Sequence, residues 1–173
     1  EGLTLGMLAR EVGMSKSGLY AHFDSKEALQ CQVLDAAADR FVDVVLAPAL
    51  KKPRGLPRVR ALFNRWLQWE TGELSGGCPF VGAATEYDDR PGPVRDRLVG
   101  HLQDLLGAIR RSAEISVEEG HFRSDLDVDQ FAFETWGILL AFHQFGRLLD
   151  RADAPGRVET AFADLIERAN SAR

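Results

Sequence analysis

An all-α fold follows from three features of the sequence. Apolar residues recur at spacings of three and four, no sustained run alternates with period two, and helix caps, glycines and prolines punctuate the chain at intervals. With 173 residues, 45% of them hydrophobic and 27% charged, the chain can bury a sizeable core as one large domain or as a small one joined to a medium one. Two cysteines, Cys31 and Cys78, make no disulfide framework, so a reducing, cytoplasmic setting is expected. No stretch approaches the roughly 18 to 20 apolar residues of a membrane span, and no signal peptide is visible.

The elements follow in order. Leu5, Leu8, Ala9 and Val12 line one face of a short helix, with Thr4 as N-cap and Leu3 stapled onto Leu8. Gly13 suits the left-handed position that ends it. Ser15 caps a second short helix, with Met14 and Leu19 as staple pair and Leu19 and Phe23 inward. Two short helices across a tight Gly-containing turn make a helix-turn-helix. The opening Glu1-Gly2-Leu3-Thr4 reads as the approach to a helix already under way, so a further segment upstream is expected.

A third helix starts at Asp24 or Ser25 and runs through Leu29, Val33, Leu34, Ala37, Phe41, Val44 and Val45 to Pro48. Residues 48–57 hold three of the seven prolines and read as a loop. Residues 58–71 form a helix with Val59, Leu62, Phe63, Trp66 and Leu67 inward, broken by Gly76-Gly77-Cys78-Pro79. Phe80 to Tyr87 is a short helix, and Asp88 to Pro93 a second break. A long helix then carries Val94, Leu98, Leu102, Leu105, Ile109 and Ala113 and ends near Gly120. The stretch Val128 to Leu149 is apolar over most of its circumference, and the final helix, from about Arg157, adds Val158, Ala161, Phe162, Leu165, Ile166 and Ala169. Such a pair needs its own core and a second copy of the chain to bury against, so a homodimer through residues 128–149 and 157–170 is expected.

The formal net charge of −5 argues against nonspecific coating of nucleic acid. Residues 1–26, however, are neutral, with Arg10, Lys16 and Lys26 against Glu1, Glu11 and Asp24. A helix-turn-helix presents the start of its second helix to the major groove. Here that start is Lys16, Ser17 and Gly18, with Tyr20 and His22 outward. Gly18 costs about 1 kcal/mol relative to alanine inside a helix, which fits close approach of a partner's backbone. Lys26 sits where the partial positive charge of a helix N-terminus prefers an anion, and a phosphate there would reverse that penalty. Thr4 and Ser15 could reach phosphates with their hydroxyls, leaving Lys16 and Tyr20 to read sequence or shape.

The stretch LTLGMLAREVGMSKSGLYAHFDSKEAL resembles the DNA-binding domain of TetR/AcrR-family transcriptional regulators. The pattern falls at Thr4, Ala9, Gly13, Ser15, Gly18, Tyr20, Phe23, Ser25, Lys26, Glu27 and Leu29, with Met14 where a small aliphatic is commoner, and it covers about residues 3–40. The resemblance implies DNA binding through Thr4, Ser15, Lys16, Ser17, Gly18, Tyr20, His22 and Lys26. It also implies a larger helical domain that binds a small effector, and a family helix preceding Glu1.

In that body, Phe63, Trp66, Trp69, Phe80, Phe133, Trp136, Phe142 and Phe145 are expected in the core. Phe63, Trp66, Cys78, Phe80, Glu86, Trp136 and His143 are the candidates to line an effector cavity, with Gln144 a further polar group. Cys78, His143 and Glu86 could form a Cys-His-Glu hydrolase site, but no nucleophile motif surrounds Cys78 and no enzyme is expected. His101, His121 and His143 are too far apart in helical register for a metal site, and no cofactor is expected. The basic run Lys51, Lys52, Arg54, Arg58, Arg60 and Arg65 reads as a solvated face.

The sequence therefore predicts a helix-turn-helix domain over residues 1–45 and a helical effector-binding and dimerisation domain over 46–173. The expected function is a ligand-responsive repressor, binding a palindromic DNA operator as a homodimer and released by a small molecule. The alternative is a small-molecule-binding helical protein whose head is structural or docks a protein.

Overall fold

Ser25 starts the first long helix by accepting a hydrogen bond from the Ala28 amide at 3.0 Å, the N-cap that the sequence Ser-Lys-Glu calls for. The structure, a computed structural model, describes residues 13, 15, 17, 18, 23, 25–73 and 76–170. Helix α1 (Lys26–Phe41) buries Leu34 and Phe41, while Val33 is 55% exposed and not inward as its spacing predicts. The face of α1 that meets the body is set by its packing on the later long helix, and Val33 points away from it.

The helix does not stop at Pro48. A π-helical turn, Val42–Leu46, lets the Ala47 amide reach back to the Val42 carbonyl, and α2 (Ala47–Leu50) restarts with Pro48 in its first turn. Pro48 has no N–H to give to the preceding turn, so the chain passes it at the loss of one helical hydrogen bond, directly after the wider π-helical turn. The loop is thus shorter than expected and ends at Gly55, with φ of +83°. A Cβ at Gly55 would come within 2.1 Å of the His121 ring, so only glycine fits this approach.

Helix α3 (Leu56–Gln68) buries Val59, Leu62, Phe63 and Trp66, as its apolar spacing predicts, and passes into a second π-helical turn, Trp69–Glu73. Helix α4 (Pro79–Tyr87) opens on a proline, as does α5 (Pro93–Glu118), whose buried side includes Val94, Leu98, Leu105, Ile109 and Ala113. Gly120, at φ +71°, turns the chain out of α5. Asp127 caps α6 (Val128–His143) by accepting from the Asp129 and Gln130 amides, and a third π-helical turn, Gln144–Leu148, extends it. Helix α7 (Ala154–Ala169) begins three residues before the expected Arg157 and buries Val158, Phe162, Leu165 and Ile166.

Helices α5, α6 and α7 pack in sequence, with α3 and α1 laid against α5. The core is aromatic at its centre. Phe63 stacks on Phe162 with ring centroids 3.6 Å apart, and Phe41 meets Trp66, Trp69 and Phe80 edge-on at 4.7, 5.5 and 6.4 Å. Two expected core aromatics are not there. Phe133 is 70% exposed and Phe145 also faces solvent, because an almost fully apolar helix must turn one side away from its own core.

Phe41 is fully buried, so Phe41→Ala should cost about 3–5 kcal/mol in urea unfolding. Val33→Ala, on the open side of the same helix, should cost no more than about 0.5 kcal/mol. Equal losses would mean that α1 is seated differently.

Candidate DNA-contact head and effector site

The described part of the head has the geometry its sequence calls for. Gly13 has φ of +66°, and the Gly18 amide donates to the Ser15 hydroxyl at 2.9 Å, which makes Ser15 the cap of the helix that contains Ser17 and Gly18. The Ser17 hydroxyl lies 3.2 Å from that of Ser15. Ser15 and Ser17 are exposed and Gly18 is half-buried. Lys26 is exposed in the first turn of α1, beside Glu27. Thr4, Lys16, Tyr20 and His22 lie outside the described residues.

The body holds a buried polar cluster. Glu70, 3% exposed, sits in the π-helical turn after α3 and pairs with His143 at the end of α6, Oε2 to Nδ1 at 2.6 Å. The same oxygen accepts from the Cys78 amide at 3.4 Å. Gly77, at φ +73°, brings the chain into this position, and the Arg147 side chain lies across it, 2.6 Å from where a Cβ would stand. Burial pushes the Cys78 thiol from 9.0 up to about 11, the Glu70 carboxylate adding to the effect and the Val81 amide opposing it. A thiol so held is not a nucleophile at neutral pH.

The seven residues expected to line a cavity fall in several places. Phe63 and Trp66 border an internal cavity of about 10 Å³, with Thr135, Leu139 and Phe162, and Trp136 crosses Trp66 edge-on at 5.8 Å. Cys78 and His143 meet at Glu70, while Phe80 packs against Phe41 and 6.0 Å from the His101 ring. Glu86 is exposed and reaches Arg90 at 3.4 Å, so the carboxylate beside His143 is Glu70 instead. Sequence reasoning missed Glu70, although its spacing was a signal: seven residues after Phe63 and four after Trp66, it continues the buried stripe of α3.

Three buried polar atoms in this region have no hydrogen-bond partner, Trp66 Nε1, Glu70 Oε1 and Thr135 Oγ1, while the Trp69 indole N–H donates to the Cys78 side chain. Each such atom costs roughly 1–3 kcal/mol. Among the described residues no cluster of three His, Cys, Asp or Glu side chains could hold a metal ion, and no helix is long and apolar enough to cross a membrane. The basic run is partly engaged: Arg54 pairs with Glu118 and Glu119, and Arg58 donates to the Lys52 carbonyl.

A second concavity, an open groove of about 520 Å³, runs between α6 and α7. Gly137, Ala141 and Phe145 line one side, and Val158, Ala161 and Arg168 the other. Arg168 also pairs with Glu134 across the two helices.

Residues 1–30 match the sequence model of bacterial regulatory proteins of the tetR family, and residues 55–162 match that of the tetracyclin repressor-like C-terminal domain. The chain belongs to the TetR family. It is a DNA-binding transcriptional regulator, with an N-terminal helix-turn-helix and a C-terminal helical domain, in a family of non-enzymes. Its fold is similar to a TetR transcriptional regulator from Chloroflexus aurantiacus J-10-FL, at 23% identity and a TM-score of 0.86, over 99% of this chain and 87% of that one. It is also similar to AibR in complex with isovaleryl coenzyme A and operator DNA, at 22% identity and a TM-score of 0.71, over 92% and 86% of the two chains. A third similar structure is FadR from Bacillus subtilis in complex with stearoyl-CoA, at 12% identity and a TM-score of 0.76, over 97% and 89%. No curated protein matches the sequence.

The Cys78 thiol gives this TetR-family body a pH signature. Between pH 9 and 11 the unfolded chain releases the Cys78 proton while the folded chain keeps it, so stability falls as pH rises through that window. The loss from this group is roughly 2–3 kcal/mol. Cys78→Ala should remove that part of the fall in urea titrations at pH 8.5 and pH 11; identical pH dependence in both proteins would contradict the buried-thiol geometry.

Proposed function

We propose that this regulator is a ligand-responsive homodimeric repressor that binds a palindromic operator and is released by a small-molecule effector. The observation that carries the reading is the seating of α1. Its capped start follows the head, and its far end places Phe41 against Trp66, Trp69 and Phe80 in the body. A molecule that displaces those rings moves the rod on which the head is mounted. Two similar proteins were crystallised with an acyl coenzyme A, one of them also with operator DNA, which supports control by a small molecule. An effector releases DNA only if it binds one arrangement of the heads better than the other.

In this reading the head spans residues 1–45 and the body 46–173, with the boundary in the π-helical turn Val42–Leu46. Lys16, Ser17, Gly18, Tyr20 and His22 face the major groove, while Thr4, Ser15 and Lys26 hold phosphates. The protein works in the cytoplasm, where its operator is. Dimerisation uses α6 and α7, supported by the groove between them and by the exposed apolar side chains of Phe133, Phe145 and Leu148. Two heads then enter successive major grooves about 34–36 Å apart.

Operator affinity in gel shifts should fall at least about tenfold between 50 and 200 mM salt, as contacted phosphates release counterions. Salt-independent binding, or none to DNA upstream of the protein's own gene, would defeat the regulator reading in favour of a structural head. Lys26→Ala should weaken binding to all sequences alike, whereas Lys16→Ala should also change the preference among operators. The dimer has its own test. Phe133→Asp lies on an exposed position and should leave the helical circular dichroism intact while giving monomers in sedimentation; a dimer of undiminished stability would exclude this face.

A further inference from the structure

The groove between α6 and α7 is apolar except for four charged side chains, and three of them are already paired within the protomer. Arg168 meets Glu134, and Arg157 donates from Nε to Asp153 at 2.7 Å. The fourth, Asp164, is exposed on the groove wall, and its carboxylate makes no hydrogen bond or ion pair among the described residues. Water satisfies a carboxylate in the open groove, but a surface that covers the groove must bring it a cation. Arg157 engages Asp153 through Nε alone, so the terminal amino groups of its guanidinium remain as donors.

The symmetry of a two-fold contact decides which cation that is. The stripe of α7 that lines the groove runs from Ala154 to Arg168, and Ala161 lies at its middle. Gly137 and Ala141 of α6 line the same stretch, so small side chains there let another backbone come close. A self-complementary patch has its two-fold axis at its centre, where α7 meets its own copy running the other way. With the axis at Ala161, Asp164 stands three residues to one side and Arg157 of the partner subunit four residues to the same side. At 1.5 Å per residue the two are roughly 1.5 Å apart along the helix. Arg168 of the partner subunit falls seven residues to the opposite side, roughly 15 Å from Asp164 along the helix.

We infer that Asp164 receives Arg157 of the partner subunit, twice over in the symmetric pair, and that this reciprocal contact makes the groove selective for a second copy of this chain. The inference rests on the homodimer reading given above and specifies its contacts. The apolar side chains of the groove fit any helix pair of suitable shape and do not by themselves choose among partners. A chain without a cation at the position of Arg157 covers Asp164 and leaves it unpaired, which disfavours that partner. The pair thus selects more than it stabilises, since ion pairs near a rim contribute little to affinity.

Charge reversal tests this on the full-length protein. Asp164→Arg sets like charges against Arg157 of the partner subunit, and Arg157→Asp does the same against Asp164. Each variant alone should dimerise at least about tenfold more weakly than the unaltered protein in sedimentation equilibrium. Mixed in equal amounts the two should form mainly heterodimers, because both contacts are then restored; native mass spectrometry with a mass tag on one variant counts the species. Homodimers of both variants as tight as those of the unaltered protein, or a purely statistical mixture, would overturn the inference and leave the homodimer reading in place. An unaltered protein that stays monomeric would defeat both. Should either variant lose its helical circular dichroism, the milder Arg157→Gln and Asp164→Asn decide. Combined, they should weaken the dimer no more than one of them alone, and losses that add in full would overturn the inference.

Discussion

The seating of Phe41 among Trp66, Trp69 and Phe80 is the contact on which the other features of this molecule depend. It joins the helix that leaves the head to the helices that make the body. Each edge-on aromatic pair contributes about 0.5–1.5 kcal/mol beyond the area it buries, and Phe41 makes three. The polar ties along the same helix are weaker. Asp35 accepts from Arg97 at 2.9 Å and lies 2.8 Å from His101 Nε2, but the aspartate and arginine are 38% and 52% exposed, and such pairs are worth no more than about 1 kcal/mol. Gln30 and Tyr87 make a similar tie one turn nearer the head. The aromatic seat fixes where α1 ends, and the polar ties choose its rotation about that end.

That arrangement explains why buried polarity is tolerated next to it. A carboxylate in a core is a poor source of stability, since desolvation offsets most of what its partner returns. Glu70 also leaves one oxygen idle, and the neighbouring Trp66 indole leaves its N–H idle. At roughly 1–3 kcal/mol each, these two atoms take up a noticeable part of the 5–15 kcal/mol by which domains of this size are stable. One of the two belongs to Trp66, whose ring meets Phe41. A region that is costly as it stands, and that touches the linker helix, is where a ligand has most leverage over the position of the head.

Much of this was legible in the sequence, and the exceptions share a cause. The stripe of Val59, Leu62, Phe63 and Trp66, the cap at Ser15, the left-handed Gly13 and the helix end near Gly120 depend only on local spacing and backbone preference, so they read directly. Pro48 misled because a π-helical turn, which no residue pattern announces, carries the helix past it. Glu70 was hidden by its charge, which reads as the solvated end of a helix unless a partner as remote as His143 is known. Phe133 and Val33 were misplaced because one apolar side chain on a helix says nothing about which neighbour it meets.

The charge balance finally constrains how such a protein can hold DNA. Residues 1–45 carry a net charge of −3 and residues 46–173 of −2, so neither part is basic, and the basic run is partly engaged, Arg54 by Glu118 and Glu119 and Arg58 by the Lys52 carbonyl. In the reading proposed above, attraction to phosphate comes from a few groups near the head, chiefly Lys26 at the start of α1 and the residues of the second short helix. In that reading, with so few contacts per head, neither head alone holds DNA tightly. In the proposed homodimer, affinity depends on both heads docking together, and through that on the angle of α1 in each protomer. On that proposal a small displacement of Phe41 suffices as a switch: it need not unfold or cover the head, only spoil the simultaneous fit of two weak contacts.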